Sequence, residues 1–182
     1  KTTAVRKHDH VDIIFSNVKI LRLHDPRRFG ALLWAKGNPL EHELLCELGP
    51  EPLTEDFTAD YLHTLSRRRK ASVKTFIMNS HVVVGVGNIY ASETLFLSGI
   101  HPARRADKIS LPRYELLVAA IKKVLTASIK QGGTTLRDFV NENGQPGYFQ
   151  QTLNVYGRDG EACNQCGHVI SVSRQLQRAT FY

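Results

Sequence analysis

Cys163-Asn164-Gln165-Cys166-Gly167 places two thiols two residues apart, with a glycine directly after the second. Two thiolates at this spacing can grip one tetrahedral Zn²⁺, and the glycine allows the tight turn beneath the ion. A structural zinc needs four ligands, and His168 beside the knuckle could supply one. A hairpin-length stretch then leads to Arg178-Ala179-Thr180-Phe181-Tyr182, just where a second cysteine pair would be expected. A redox dithiol or two idle thiols are the alternatives, although a redox pair would want a βαβ context. The third cysteine, Cys46, sits among Leu44, Leu45 and Leu48 and is expected to be a buried thiol. An odd count with two close together does not form a disulfide framework.

Several other groups could contact a polyanion. Gly85-Val86-Gly87-Asn88 follows an apolar run. As a nucleotide-binding phosphate loop it is incomplete. As a turn between helices, its glycines would let the backbone approach a DNA phosphate, and Asn88 at a helix start would offer its amide there. A plain tight turn between core helices is the other possibility. Arg67-Arg68-Arg69-Lys70 suits phosphate contact, but such a run at a helix end is more often simply solvated. In Asp25-Pro26-Arg27-Arg28-Phe29-Gly30, an arginine can bond an unpaired base edge and an aromatic ring can wedge between bases. Taken alone, Phe29 would rather be expected in the core. His8 and His10 flank Asp9 and could bind metal or phosphate, though histidines near a chain end usually do neither.

These groups need positioning. Val11–Phe15, Ile20–His24 and Ala31–Ala35 read as strands, with Leu21 and Leu23 on one face and Arg22 on the other. Leu48-Gly49-Pro50-Glu51-Pro52 reads as a linker, after which the period turns helical. Thr58 can cap a helix to about Leu65, and a second helix is expected near Ser72–Met78. Ile89–Leu97 resumes helical spacing, with Ile89, Leu95, Phe96 and Leu97 as core candidates. Ser110 can cap the longest helix, with Pro112 in its first turn. Leu117, Ile121, Val124, Leu125 and Ser128 share one face, and Gly132-Gly133 ends the helix. Thr135–Asn141 reads as a further short helix, and the tail from Leu153 is β-like. The expected division is 1–48, 49–150 and 151–182, in an α+β chain.

The 182 residues carry 24 Lys+Arg against 17 Asp+Glu, a net charge of +7. The excess favours a polyanion, nucleic acid first and an anionic membrane surface second. No apolar run is long enough to cross a bilayer, and no signal-peptide core follows the basic start. A soluble, cytoplasmic protein is the expectation.

Nine stretches, in order, resemble the formamidopyrimidine-DNA glycosylase (MutM) and endonuclease VIII family: KHDHVD (Lys7–Asp12), DPRRFGA (Asp25–Ala31), LGPEPL (Leu48–Leu53), VVGVGNIYASE (Val83–Glu93), GIHP (Gly99–Pro102), QGGTTLRDF (Gln131–Phe139), GQPGYF (Gly144–Phe149), VYGRDGEAC (Val155–Cys163) and QRATFY (Gln177–Tyr182). The resemblance implies the remnant of an N-terminal β-sandwich, a helix-two-turn-helix domain and a C-terminal zinc β-hairpin. It implies a base-excision repair glycosylase and AP lyase (β/δ-elimination) that removes 8-oxoguanine and formamidopyrimidines from damaged duplex DNA, acting as a monomer associated with the bacterial nucleoid. Arg27 would face the orphaned cytosine and Phe29 would fill the gap left by the flipped base. His8, Lys70, Asn88 and Tyr156 would contact DNA, and Arg178 would hold the extruded nucleotide's phosphate and assist strand cleavage. Asn141, Gly144, Gly147 and Tyr148 would belong to a cap over the lesion; this cap and DPRRF favour the MutM branch. Cys163 and Cys166 would hold half of a structural Zn²⁺ site.

The family's reaction runs through an N-terminal proline amine, helped by a glutamate and a β-hairpin lysine. The sequence instead opens Lys1-Thr2-Thr3-Ala4. The expectation is therefore a fragment lacking its nucleophile and inactive alone. A non-catalytic zinc and helix–turn–helix DNA-binding module is the second hypothesis, and a metabolic enzyme with a phosphate loop is the third.

Overall fold

The computed structural model of the protein describes residues 4–133 and 153–182. The chain divides into two compact units, Lys1–His42 and Glu43–Tyr182.

The first unit is a hairpin. Strand β1 (Asp9–Ile14) pairs antiparallel with β2 (Ile20–His24), Val11 opposite Leu23, Asp12 opposite Arg22 and Ile13 opposite Leu21. Opposed residues share a face, so the register separates an apolar side from a charged one. On the charged side, Arg22 Nε and Nη2 donate to the two Asp12 carboxylate oxygens at 2.7 and 2.8 Å. The apolar side is open: Ile13 is 38% and Leu21 60% exposed. Among the described residues no second sheet covers it. The strand expected over Ala31–Ala35 does not form, and Trp34 in it is 94% exposed. Apolar, β-branched composition makes no strand unless another strand receives its N–H and C=O groups, and no described residue does so here.

The second unit holds the core. Helices α1 (Ala59–Ser66), α2 (Val73–Ile77), α3 (Asn88–Leu97) and α4 (Leu111–Lys130) surround Phe57, Leu62, Val73, Ile77, Leu95, Tyr114, Leu117 and Ile121, all fully or almost fully buried. Thr58 and Ser72 cap α1 and α2 by accepting from the Tyr61 and Thr75 N–H groups. Ser110 holds the cap position of α4 but its side chain makes no cap bond, and the start is set by Pro112 and by Tyr114 N–H reaching the Ser110 carbonyl at 3.1 Å. The predicted face of α4 is buried at Leu117, Ile121, Val124, Leu125 and Ser128. Helix α3 is different: Ala91 through Leu95 are all buried, because α4 lies on one side and the C-terminal hairpin on another. Leu97, expected in the core, is exposed at the end of this helix.

Gly49 sits where its chain crosses the Val82–Val83 backbone. A β-carbon there would lie 2.5 Å from the Val82 carbonyl carbon, so only glycine fits. Just before it, Cys46 is exposed rather than buried. Its segment forms turns, not a helix or strand that would direct one side inward, and Leu44, Leu45 and Leu48 are exposed with it.

Strands β3 (Val172–Gln175) and β4 (Arg178–Phe181) form the C-terminal hairpin, closed by Leu176 and Gln177. Both closing residues have positive φ, 45° and 61°, as a two-residue primed turn demands. The hairpin belongs to the same compact unit as the helices, because its strands are bonded directly to α2 and α3. Among the described residues, no helix is long and apolar enough to cross a membrane.

Candidate nucleic-acid interface

Helix α3 begins at Asn88 after Gly87, which offers no side-chain cap. Its first N–H groups therefore lack side-chain acceptors at the positive end of the helix, an arrangement that favours an anion. The Asn88 amide nitrogen donates to the Ala179 carbonyl at 3.0 Å and to the Tyr156 hydroxyl at 3.2 Å. The Ala179 carbonyl fixes the orientation of this amide, since the reverse would set oxygen against oxygen. Asn88 Oδ1 is left buried without a partner among the described residues. Tyr156 in turn packs edge-on against Phe181, with ring centres 4.8 Å apart. Two predicted DNA-contact residues thus meet here, Asn88 at the helix start and Tyr156 beside it, and a third, Arg178, precedes the bonded Ala179 in β4.

Two buried charges hold this corner together. Lys74 on α2 is 1% exposed, and its Nζ donates to the Ala179 carbonyl at 3.0 Å and to Thr180 Oγ1 at 2.9 Å. Burial, and then the nearby Arg178 guanidinium, push the Lys74 ammonium down to about 8. Glu93 on α3 is also 1% exposed. One of its carboxylate oxygens accepts from the N–H and side-chain amide of Asn154, the other from the N–H groups of Val155 and Tyr156, all at 2.8–2.9 Å. A carboxylate filled in this way carries its charge inside a protein at tolerable cost.

In the first unit, the Asp25 carboxylate organises the turn around Phe29. It accepts from the N–H of Arg27, Arg28 and Gly30 at 3.1, 2.9 and 2.6 Å. The Gly30 N–H above all, with those of Arg27 and Arg28, holds the carboxyl below the usual carboxylate range. Arg28 takes a positive φ of 56°, and Phe29 points outward, 87% exposed. A core position, expected from composition alone, is therefore excluded; the ring is displayed on a turn made rigid by one carboxylate. His8 is half-buried, with its ring edge-on to His24. His10 Nε2 pairs with the Asp25 carbonyl at 3.0 Å, and Asp9 is engaged by Arg6 N–H and His24 Nδ1 at 2.7 and 2.8 Å. These partners are protein groups, so the His8–His10 stretch is tied into the hairpin.

The cysteine pair folds as a knuckle. Cys163 N–H donates to the His168 carbonyl at 2.7 Å, Gly167 N–H to the Cys163 carbonyl at 2.9 Å, and Gln165 N–H to Cys163 Sγ at 3.4 Å. Gly167 has φ 75°, the left-handed turn expected beneath a metal. The backbone N–H groups of Gln165 and Cys166 lower the Cys163 thiol, the form change a metal requires. Among the described residues no group of three or more His, Cys, Asp or Glu comes together, so His168 does not join the pair as a third ligand. The residues present fit two corners of a tetrahedral ion.

Residues 48–140, just over half of the chain, match the family described as Formamidopyrimidine-DNA glycosylase H2TH domain. The chain belongs to the formamidopyrimidine-DNA glycosylase family. It is 57% identical over 180 residues to the formamidopyrimidine-DNA glycosylase of Xanthomonas euvesicatoria pv. vesicatoria (strain 85-10), covering 99% of this chain and 66% of that protein. The chain thus spans a little under two thirds of such a relative's length. Its fold is similar to the crystal structure of the MutM (Fpg) protein from Thermus thermophilus, with a TM-score of 0.89 and 32% identity, over 98% of this chain and 68% of the other. It is also similar to a Lactococcus lactis Fpg mutant in complex with Fapy-dG-containing DNA, with a TM-score of 0.86 and 31% identity, over 99% and 66%.

Within this family member, α1 to α4 lie in the H2TH match, and the basic run after α1 divides its labour. The Arg67 guanidinium donates to the Ile109 carbonyl at 2.7 Å and so serves the fold, whereas Lys70 is exposed. Asn141, Gly144, Gly147 and Tyr148, and the helix expected over Thr135–Asn141, lie outside the described residues. Lys74 and Glu93 were not singled out by sequence reasoning. Lysine and glutamate at single helix positions read as surface residues, and only their partners, 61 to 106 residues away, give them a role.

Proposed function

We propose that the protein is the DNA-gripping part of a base-excision repair glycosylase with AP lyase activity, acting on duplex DNA that carries formamidopyrimidines or 8-oxoguanine. One observation carries the reading: Asn88, at the uncapped start of α3, is bonded to the carbonyl that follows Arg178. That bond ties the start of α3 to the strand that carries Arg178, and strand phosphates would be held there. Arg178 would hold the phosphate of the extruded nucleotide and assist strand cleavage, with His8, Lys70 and Asn88 on other phosphates and Tyr156 also contacting the DNA. Phe29, displayed by the Asp25 turn, would enter the space the extruded base leaves, and Arg27 would meet the orphaned cytosine. The covalent step belongs, in this reading, to the family's proline amine, and the residues of this chain hold and order the strand.

Cys163 and Cys166 would hold two corners of a structural Zn²⁺ whose other ligands are not among the described residues. Zinc there would fix the knuckle that leads into β3. Native mass spectrometry should find zinc that is lost in Cys163→Ser; a metal-free protein with an intact hairpin would remove zinc from the account. The functional test is binding to a duplex with an abasic-site analogue opposite cytosine, beside borohydride trapping on an 8-oxoguanine duplex. Preference for the damaged duplex supports the grip, and equal affinity for undamaged duplex refutes it. A trapped adduct reports a reactive amine, separately from the grip.

A further inference from the structure

The basic run after α1 lies against a second basic stretch, the turn that precedes α4. Ala106 N–H donates to the Ala71 carbonyl at 3.0 Å, Asp107 N–H to the Arg69 carbonyl at 3.3 Å, and Val73 N–H to the Arg104 carbonyl at 2.7 Å. The Arg67 guanidinium adds a further tie, to the Ile109 carbonyl. Residues 67–70 and 104–108 therefore form one ridge. It holds seven arginines and lysines against the single carboxylate of Asp107, a net +6 in a chain whose total is +7. That carboxylate is already taken. Arg105 donates to its two oxygens at 3.0 and 2.6 Å, and this guanidinium above all holds it below the usual carboxylate range. Every exposed residue of the ridge is a cation, and its one apolar residue, Ala106, is buried. Protein partners are recognised through aromatic and aliphatic anchors, which this surface lacks. Crowded like charges repel one another, and a polyanion laid over them relieves the repulsion.

We propose that this ridge holds the phosphates of undamaged duplex flanking the lesion, through Arg104 and Lys108 beside the basic run. The proposal rests on the DNA-gripping reading, which already puts Lys70 on a phosphate, and extends that contact along the duplex. The ridge adjoins the C-terminal hairpin. Ser72 forms a bridge with Arg105, and its Oγ donates to Gln175 Oε1 at 2.7 Å; Gln175 lies opposite Arg178 in the β3–β4 register. Contacts of this kind neutralise phosphates without reading bases. The ridge therefore adds affinity for any duplex long enough to reach it, and adds no preference for damage.

Anisotropy titrations over a salt series test this on two duplexes with a central abasic-site analogue, one of about 10 base pairs, a single helical turn, and one of about 30. Wild type should bind the longer duplex more tightly and with the steeper salt slope. Arg104→Gln and Lys108→Gln together should make the slope on the longer duplex shallower by about 2, one phosphate contact for each, and leave the shorter duplex unchanged. An undamaged duplex of the longer length should show the same shift, so that the ratio of damaged to undamaged affinity holds. Lys123→Gln, which removes the charge of an exposed lysine on α4, should leave the slope alone. Thermal melting checks that each variant is folded, and each single change, read by itself, should shift the slope by about 1. An unchanged slope on the longer duplex, an equal shift on the shorter one, or an equal shift in Lys123→Gln overturns the proposal. Equal wild-type affinity for damaged and undamaged duplex would refute the glycosylase reading without altering these slopes, so the two failures are separate results.

Discussion

The N-terminal hairpin and the helical unit hold their charges in opposite ways. In the hairpin, Asp9, Asp12 and Asp25 are held by partners within the hairpin, each below the usual carboxylate range: Asp9 first by the Arg6 N–H, Asp12 by the Arg22 guanidinium, Asp25 by the Gly30 N–H. The apolar face beside them stays open, as at Leu21, 60% exposed. In the helical unit, the apolar side chains are sealed inside, and two charges, Lys74 and Glu93, are sealed with them. Local hydrogen bonds shape the first region; a core shapes the second, and its buried charges join segments far apart in the chain. A lone two-stranded hairpin is marginal in water, whereas a closed helical core is not.

The sharpest way to break this contrast is truncation in each region. Leu117→Ala in α4 should cost about 2–5 kcal/mol in urea unfolding, as a fully buried leucine does. A loss under about 1 kcal/mol would mean that α4 does not carry the core. Glu93→Ala should cost about 3 kcal/mol, since four donors lose their acceptor at once, and Glu93→Gln should cost less. Hydrogen exchange should then speed up at the Asn154, Val155 and Tyr156 amides before anywhere else.

The two regions should also respond at opposite ends of the pH scale. Lys74 is down at about 8 in the fold against 10.5 ordinarily. Between those values the unfolded chain binds the extra proton, so folded wild type should gain stability relative to Lys74→Met as pH rises from about 8 to about 10.5. The hairpin aspartates are lowered, so their contribution is present above about pH 4 and lost as pH falls through their folded values. Amide dispersion for residues 9–30 should therefore collapse in acid while α4 persists. The smallest effect expected is Leu21→Ser, within about 0.5 kcal/mol, because that side chain is already wet.

Much of the helical unit was legible in the sequence because its signals are local. Thr58 and Ser72 stand directly before their helices, and the α4 face repeats at helical spacing from Leu117 to Ser128. The Asp25 turn was legible from Pro26 and Gly30, but the outward aim of Phe29 was not, since it depends on three backbone bonds to one carboxylate. Ala31–Ala35 and Cys46 misled because apolar composition states a preference for burial without supplying the partner. Lys74, Glu93 and Gln175 were illegible for the opposite reason: their partners are bound in space and distant in sequence. Asn88 could be read from its place after two glycines at a helix start. Only the motif-level resemblance reached Tyr156 and Arg178, and the geometry then showed why Asn88 belongs beside them.

The most direct test of that corner is the salt dependence of duplex binding, compared between wild type and Arg178→Ala on DNA with an abasic-site analogue. The account predicts weaker binding and a slope of log K against log salt that is shallower by about 1, the signature of one lost phosphate contact. Asn88→Ala should weaken binding too, by freeing β4 from α3. An unchanged slope and affinity in Arg178→Ala would contradict the claim that the start of α3 and the C-terminal hairpin together form the phosphate grip.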